Sequence, residues 1–431
     1  MSQASSKQVI LNARIIDPSC QLDTQSNLYI EDGKIVAINK QFDGFEADNI
    51  IDASGKWLFP GLVDLATYLR DPGADHKATI QSETFAAASA GITTLCFQPE
   101  PNVLVNNAAN VNLINEINNR TNSAHIQVIG NLTKDLKGKS LSNMGGLKKA
   151  GCVAVTNGLQ PMRDLHTLRM AMEYAKTQDL TVFIHPFEHS LAQNGCVHAG
   201  NVATRIGLPG IPVAAETAAL AQALTLVKAT GAKTHFCRLS AAESVTLIES
   251  GKNQGLPISA DVAAHQLFLT EKDTIDFNPL CHTLPPLRTI RDKDALRQAV
   301  KDGIIDAICS DHQPHEIDAK LAPFQQTKPG ISALETLLPL TLKLVEEGIL
   351  DLQQALALIT KNPAKILGIP AGSVQEGQDA SLILFDPDEL WDLQTSNMLS
   401  AGKNTPFIGQ GFAGQVISTL LAGEIVYSRS N

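Results

Sequence analysis

Between residues 59 and 366 the chain alternates short apolar runs with helical patterns, and that rhythm constrains its fold more than any other feature. A helix pattern over Ala78–Gly91 leads into ITTLCFQ, and VNLINEINNR leads into HIQVIGNLT. LKKAGCVAVT follows, then LHTLRMAMEYAKTQ before TVFIHP, and AALAQALTLVKATG before THFCRLS. Strands separated by helices pair in parallel with the helices as cover, and the units suffice for a (β/α)8 TIM-like barrel. The two ends read differently. Residues 1–58 hold QVILNARIID, NLYIEDGKIVAINK and NIIDASGKWLFP, with a hairpin turn at Glu31-Asp32-Gly33-Lys34. Residues 367–431 return to strands in ASLILFDPD and GQVISTLLAGEIVYSR, with a second hairpin at Gly423-Glu424. The expected organisation is a barrel over 59–366 and a small β-sandwich domain built from 1–58 plus 367–431.

A chain of 431 residues can bury a large core of this kind, and 44% hydrophobic with 18% charged residues is ordinary for a globular protein. The formal charge of −10 argues against nucleic acid or an anionic membrane as a main partner. No apolar run approaches the ~20 residues of a membrane span. The start, MSQASSKQVILNARIIDP, lacks the form of a secretory signal. Seven scattered cysteines without a C-x-x-C pair suit free thiols, so a cytoplasmic location is expected.

The first barrel strand runs into PGLVDLATYLRDPG, residues 60–73. Successive strand residues face opposite ways, so positions 66 and 68 share a face and could chelate one metal together. Ala66 has no lone pair to give, and a neutral Tyr68 phenol is a poor zinc ligand.

This segment resembles the strand-one motif of dihydroorotases in the amidohydrolase superfamily, in which those two positions are histidines. The resemblance continues through SETFAAASAGITTLCFQPEPN, GLPGIPVAAETAALAQALTLVKATGAKTHFCRLSAAESV, FNPLCHTLPPLR, DGIIDAICSDHQPH and KPGISALET. It implies an amidohydrolase-type barrel with a metal site at the C-terminal ends of the strands. The family builds that site from the two strand-one histidines, a bridging aspartate or carbamylated lysine, two later histidines and a last-strand aspartate. Here the corresponding positions are Ala66, Tyr68, Asn157, His185, Arg238 and Asp311, and no lysine lies between Lys149 and Lys176. Two ligands remain where a catalytic zinc usually takes three, and Arg238 adds a fixed cation. The expectation is therefore no zinc, no catalytic residue, and an Arg238–Asp311 salt bridge in the metal's place.

The resemblance also assigns vestigial ligand contacts to Arg70, His315 and Gly330. Glu100 and Leu284 stand where the family has asparagines, and the Glu100 carboxylate is expected to repel an anionic substrate. Several residues keep two readings. His185 is a lone ligand or a hydrogen-bonded histidine, Asp311 a general base or an ion-pair partner, and Arg70 an anion binder or a scaffold salt bridge. His265 is read as packed and hydrogen-bonded. Cys237 is read as facing away from the site. His312 or His315 could join His185 and Asp311 in an improvised centre.

The function this implies is a catalytically inactive dihydroorotase-like protein. It would act as a structural and assembly subunit of aspartate carbamoyltransferase in pyrimidine biosynthesis, as a homodimer within a larger hetero-oligomer. Two alternatives stand beside it: an active dihydroorotase or other cyclic amidohydrolase with a degenerate one-metal site, and a metabolite-binding sensor.

Overall fold

The computed structural model describes residues 6–162 and 164–429. Eight parallel strands form the barrel: Leu62–Thr67, Ile92–Phe97, His125–Asn131, Ala154–Thr156, Thr181–Ile184, Thr234–Phe236, Ile258–Ala263 and Ala307–Cys309, each beside its neighbour in sequence. The ring closes through main chain just past the last strand. His312 N donates to Ala66 O and Tyr68 N donates to His312 O, both at 3.0 Å. All six residues of the first strand are buried, as expected where helices cover one face and side chains fill the lumen behind the other.

The lumen is packed, not hollow. Val63, Leu65, Cys96, Ile129, Phe183, Cys237, Ala263 and Cys309 belong to one buried cluster that Ala364 and Leu367 of the helix Lys361–Leu367 join. The expected helix near 78–91 spans Ile80–Ser89, because Thr79 caps it: its hydroxyl accepts from Ser82 N, while the Ser82 side chain accepts from Thr79 N.

The chain ends meet in one eight-stranded mixed sheet. The strand Trp57–Pro60 joins its halves, pairing parallel with Lys7–Asp17 and antiparallel with Leu382–Asp392. It runs to Pro60, and Gly61 then enters the barrel so close to Thr93 that a Cβ would stand 2.1 Å from the threonine hydroxyl. Ile35 near one edge and Leu420 near the other share a core with Leu58 and Leu382, so the sheet curls around its own apolar face. The first hairpin turns at Asp32-Gly33 and the second at Ala422-Gly423, all four residues at positive φ as a two-residue turn of this hand requires. Among the described residues no helix is long and apolar enough to cross a membrane.

Candidate functional site

The barrel mouth is shaped by backbone as much as by side chains. Arg70, Arg238 and Asp311 all lie at positive φ, +67°, +55° and +51°, a conformation costing a non-glycine residue about 1–3 kcal/mol. Each lies two or three residues past the end of a barrel strand, where the left-handed backbone breaks the strand's alternation.

Six positions of the degenerate motif do not share one fate. Ala66 is buried in the lumen cluster. Tyr68 and Arg238 are each 2% exposed and fill the mouth. Burial first pushes the Tyr68 phenol up to about 12, against the pull of Arg238, and its oxygen has no hydrogen-bond partner. Arg238 Nη1 stands 3.5 Å from Asp311 Oδ1, an ion pair outside hydrogen-bond geometry. At an effective dielectric of ~20 that separation gives a gross attraction of about 4–5 kcal/mol, set against the cost of taking both charges out of water. Desolvation wins at the carboxyl: Asp311 is raised to about 7, with Arg238 and a hydrogen bond from Gln313 only partly opposing. Asn157 is turned to scaffold work. Its amide oxygen accepts from the Thr133 hydroxyl at 2.5 Å, and its nitrogen donates to Gln160 O at 2.9 Å and Leu136 O at 3.3 Å.

His185 keeps a lone pair. Its Nδ1 donates to Cys237 O at 3.3 Å, which leaves Nε2 as an acceptor that is buried and unpartnered. Burial, then Arg238, hold its pKa well below that of free histidine.

Beside this lies the would-be anion subsite. Arg70 is 5% exposed and donates from Nη1 to Glu100 Oε2 at 2.6 Å and from Nε to Pro314 O at 3.2 Å. His315 Nε2 lies 3.4 Å from Arg70 Nη2 and 3.0 Å from Pro329 O, and its pKa falls to about 2 through burial, then Arg70 and Lys77. Gly330 N donates to His282 O at 2.8 Å, and a Cβ there, at φ +127°, would meet Gln313 Cβ at 2.5 Å. Glu100 does more than repel an anion: it neutralises the cation that would bind one. Leu284, like Phe187, packs against an apolar cluster of Ala192, Ile211 and Ala215.

Three expectations need correction. His265 is buried as expected, but neither ring nitrogen has a hydrogen-bond partner, and burial lowers it to about 3. Cys237 faces inward, not away. With His235 and Asp261 it offers ligand atoms within 4.8 Å of one another, all buried. There Asp261 Oδ2 meets His235 Nε2 at 2.9 Å, Oδ1 accepts from Arg238 N, and the His235 Nδ1 meets the Ser259 hydroxyl at 2.8 Å. Those bonds pin the turn that carries Arg238. Finally, His312 takes no part at the mouth. Its Nδ1 accepts from Ala333 N at 3.0 Å, so its Nε2 donates to the buried Glu83 carboxylate at 2.7 Å. Nothing local in the sequence signals the Glu83–His312 pair, whose members lie 229 residues apart.

Comparison with known proteins bears on this barrel directly. The amidohydrolase family pattern matches residues 57–426. The chain belongs to the amidohydrolase family. It is 44% identical to a protein named "Dihydroorotase-like protein" from Pseudomonas putida, over 97% of this chain and 98% of that one. A protein named "Dihydroorotase" from Syntrophus aciditrophicus is 36% identical over 98% of this chain and 99% of its own length. Among solved structures, an L-hydantoinase from Arthrobacter aurescens superposes with a TM-score of 0.87 at 22% identity, over 98% of this chain and 96% of that one, a likeness of fold.

For a dihydroorotase-like member of the amidohydrolase family, the donor set at the mouth does not fit a catalytic zinc. Ala66 supplies no atom, Tyr68 stays a neutral phenol, Asn157 is spent on scaffold hydrogen bonds, and Arg238 brings a guanidinium whose pKa is raised still further above its ordinary value. Only His185 Nε2 and the Asp311 carboxyl remain, short of the three protein ligands such an ion takes.

Proposed function

We propose that this chain is a catalytically inactive dihydroorotase-like protein serving as a structural and assembly subunit of aspartate carbamoyltransferase in pyrimidine biosynthesis. The observation that carries this reading is the Arg238–Asp311 pair, buried along with Tyr68 at positions where the family has metal ligands. Without a metal there is no Lewis acid and no hydroxide at neutral pH, and Asp311 has no nucleophile to deprotonate. A fold can persist for its outer surface after its site has decayed, which is the ground for an assembly role. The partner is the catalytic chain of aspartate carbamoyltransferase, reached through a homodimer of this chain in the cytoplasm.

One observation favours a second reading, a one-metal hydrolase: the unpartnered Nε2 of His185. The Arg70–Glu100 pair, in turn, weighs against a sensor of anionic metabolites. Purification of the chain from its native source, with aspartate carbamoyltransferase activity measured on what co-elutes, tests the proposal. Association with an active carbamoyltransferase whose activity falls when this chain is removed supports it. A carbamoyltransferase that elutes apart and works fully alone defeats it.

A further inference from the structure

A cavity of about 190 Å³ opens beside the degenerate centre, between the loops after strands four and five and the helices Leu165–Thr177 and Ala214–Thr230. None of Tyr68, Arg70, Arg238 and Asp311 lines it. Its apolar wall includes Met162, Leu168 and Phe187.

Its polar chemistry is one-sided. His189 Nε2 lies 3.1 Å from Leu159 O, and a carbonyl only accepts, so that nitrogen carries the proton. His189 Nδ1 is then a lone pair, buried and without a partner. His185 presents the same situation, with Nδ1–H on Cys237 O and a partnerless Nε2. The two rings flank Phe187, at centroid distances of 5.9 and 4.9 Å. The carboxylates of Asp164 and Glu188 also line the cavity, where they cap the starts of two helices. Among the described lining residues there is no lysine or arginine. Arg238 acts on His185 from outside the lining, and its Nη1 stands 3.5 Å from Asp311 Oδ1.

Two buried imidazole acceptors, a carboxylate rim and an apolar wall ask for a ligand that donates, carries positive charge and has an apolar body. We propose that this cavity is a binding site for a small organic cation of the amidine or guanidine class, its N–H groups directed at His185 Nε2 and His189 Nδ1. The site shares His185 and Asn157 with the degenerate centre but needs no carbamoyltransferase partner. It is also opposite in charge preference to the anion subsite beside it.

Benzamidine and benzoate share a shape and differ in charge, so calorimetric titration of the full chain with each is the test. Benzamidine is expected to bind at one site, with benzoate weaker by about tenfold or more. Two variants locate the binding. His189→Phe keeps the ring packing and removes one acceptor, and Ala219→Phe fills the cavity from the helix. Each is expected to weaken benzamidine by about tenfold or more, with the far-ultraviolet spectrum and melting temperature confirming the fold. Equal affinity for benzoate, no heat from benzamidine at millimolar concentration, or undiminished binding in both folded variants would overturn the assignment.

Discussion

Arg70 Nη1 and Glu100 Oε2 lie 2.6 Å apart, so the cation best placed to hold a substrate carboxylate is already paired within the chain. The guanidinium is buried while the Glu100 side chain is 19% exposed, which makes the pair a plug at the rim instead of a free surface bridge. An entering anion would have to displace a charge-assisted hydrogen bond already formed within the chain.

Replacing Glu100 with Gln removes that plug. The variant is expected to lose about 1–3 kcal/mol of stability, because Arg70 is left buried with a weaker partner. Dihydroorotate should then raise its melting temperature while leaving the parent chain unmoved. Thermal melts of both proteins with and without the anion check this.

The Arg238–Asp311 pair predicts a non-additive cycle. Arg238→Met leaves the Asp311 carboxyl buried without its cation and is expected to cost about 3–5 kcal/mol, with Asp311→Leu costing a similar amount. The double variant should recover most of the loss, since apolar groups replace both charges at once. Urea unfolding of the four proteins gives the coupling directly.

His265 predicts a pH effect. Its pKa falls from 6.5 in the unfolded chain to about 3 when folded, so the native ring stays neutral while the unfolded one protonates. A base with a lowered native pKa gives stability that is complete above pH 6.5 and lost as pH falls toward 3. At pH 5 the loss is about 2 kcal/mol, from 1.36 kcal/mol per pH unit. His265→Leu should therefore gain about 2 kcal/mol relative to the parent between pH 8 and pH 5, read from urea midpoints at the two values.

Reversal of the decay is also predicted. Ala66→His, Tyr68→His and Arg238→His together would add three imidazoles to His185 and Asp311 and remove the opposing cation. The triple variant is expected to take up zinc where the parent does not, as measured by elemental analysis after gel filtration.

Much of this architecture was legible in the sequence because it is written in local periodicity. The units leading to the strands Ile92–Phe97, His125–Asn131, Ala154–Thr156, Thr181–Ile184 and Thr234–Phe236 follow from runs of a few residues, and the hairpins from Gly33 and Gly423, although the second turns at Ala422-Gly423 and not at Gly423-Glu424. Loss of ligands at Ala66, Tyr68 and Arg238 was legible too, since donor atoms are a property of residue type. What escaped was pairing across long stretches of chain. Glu83 with His312 and the turning of Cys237 into the lumen depend on how the barrel closes. Left-handed backbone at Arg238 and Asp311 broke the strand alternation on which facing was judged. His265 is a case where burial was foreseen and the partner was not, because a packed site can leave an imidazole without one.

Elemental analysis of the chain purified from zinc-supplemented cells, with dihydroorotate turnover measured on the same preparation, decides whether the barrel holds a working metal. Zinc far below one atom per chain and no ring opening above background are expected. Near-stoichiometric zinc together with turnover that a chelator abolishes would contradict that expectation.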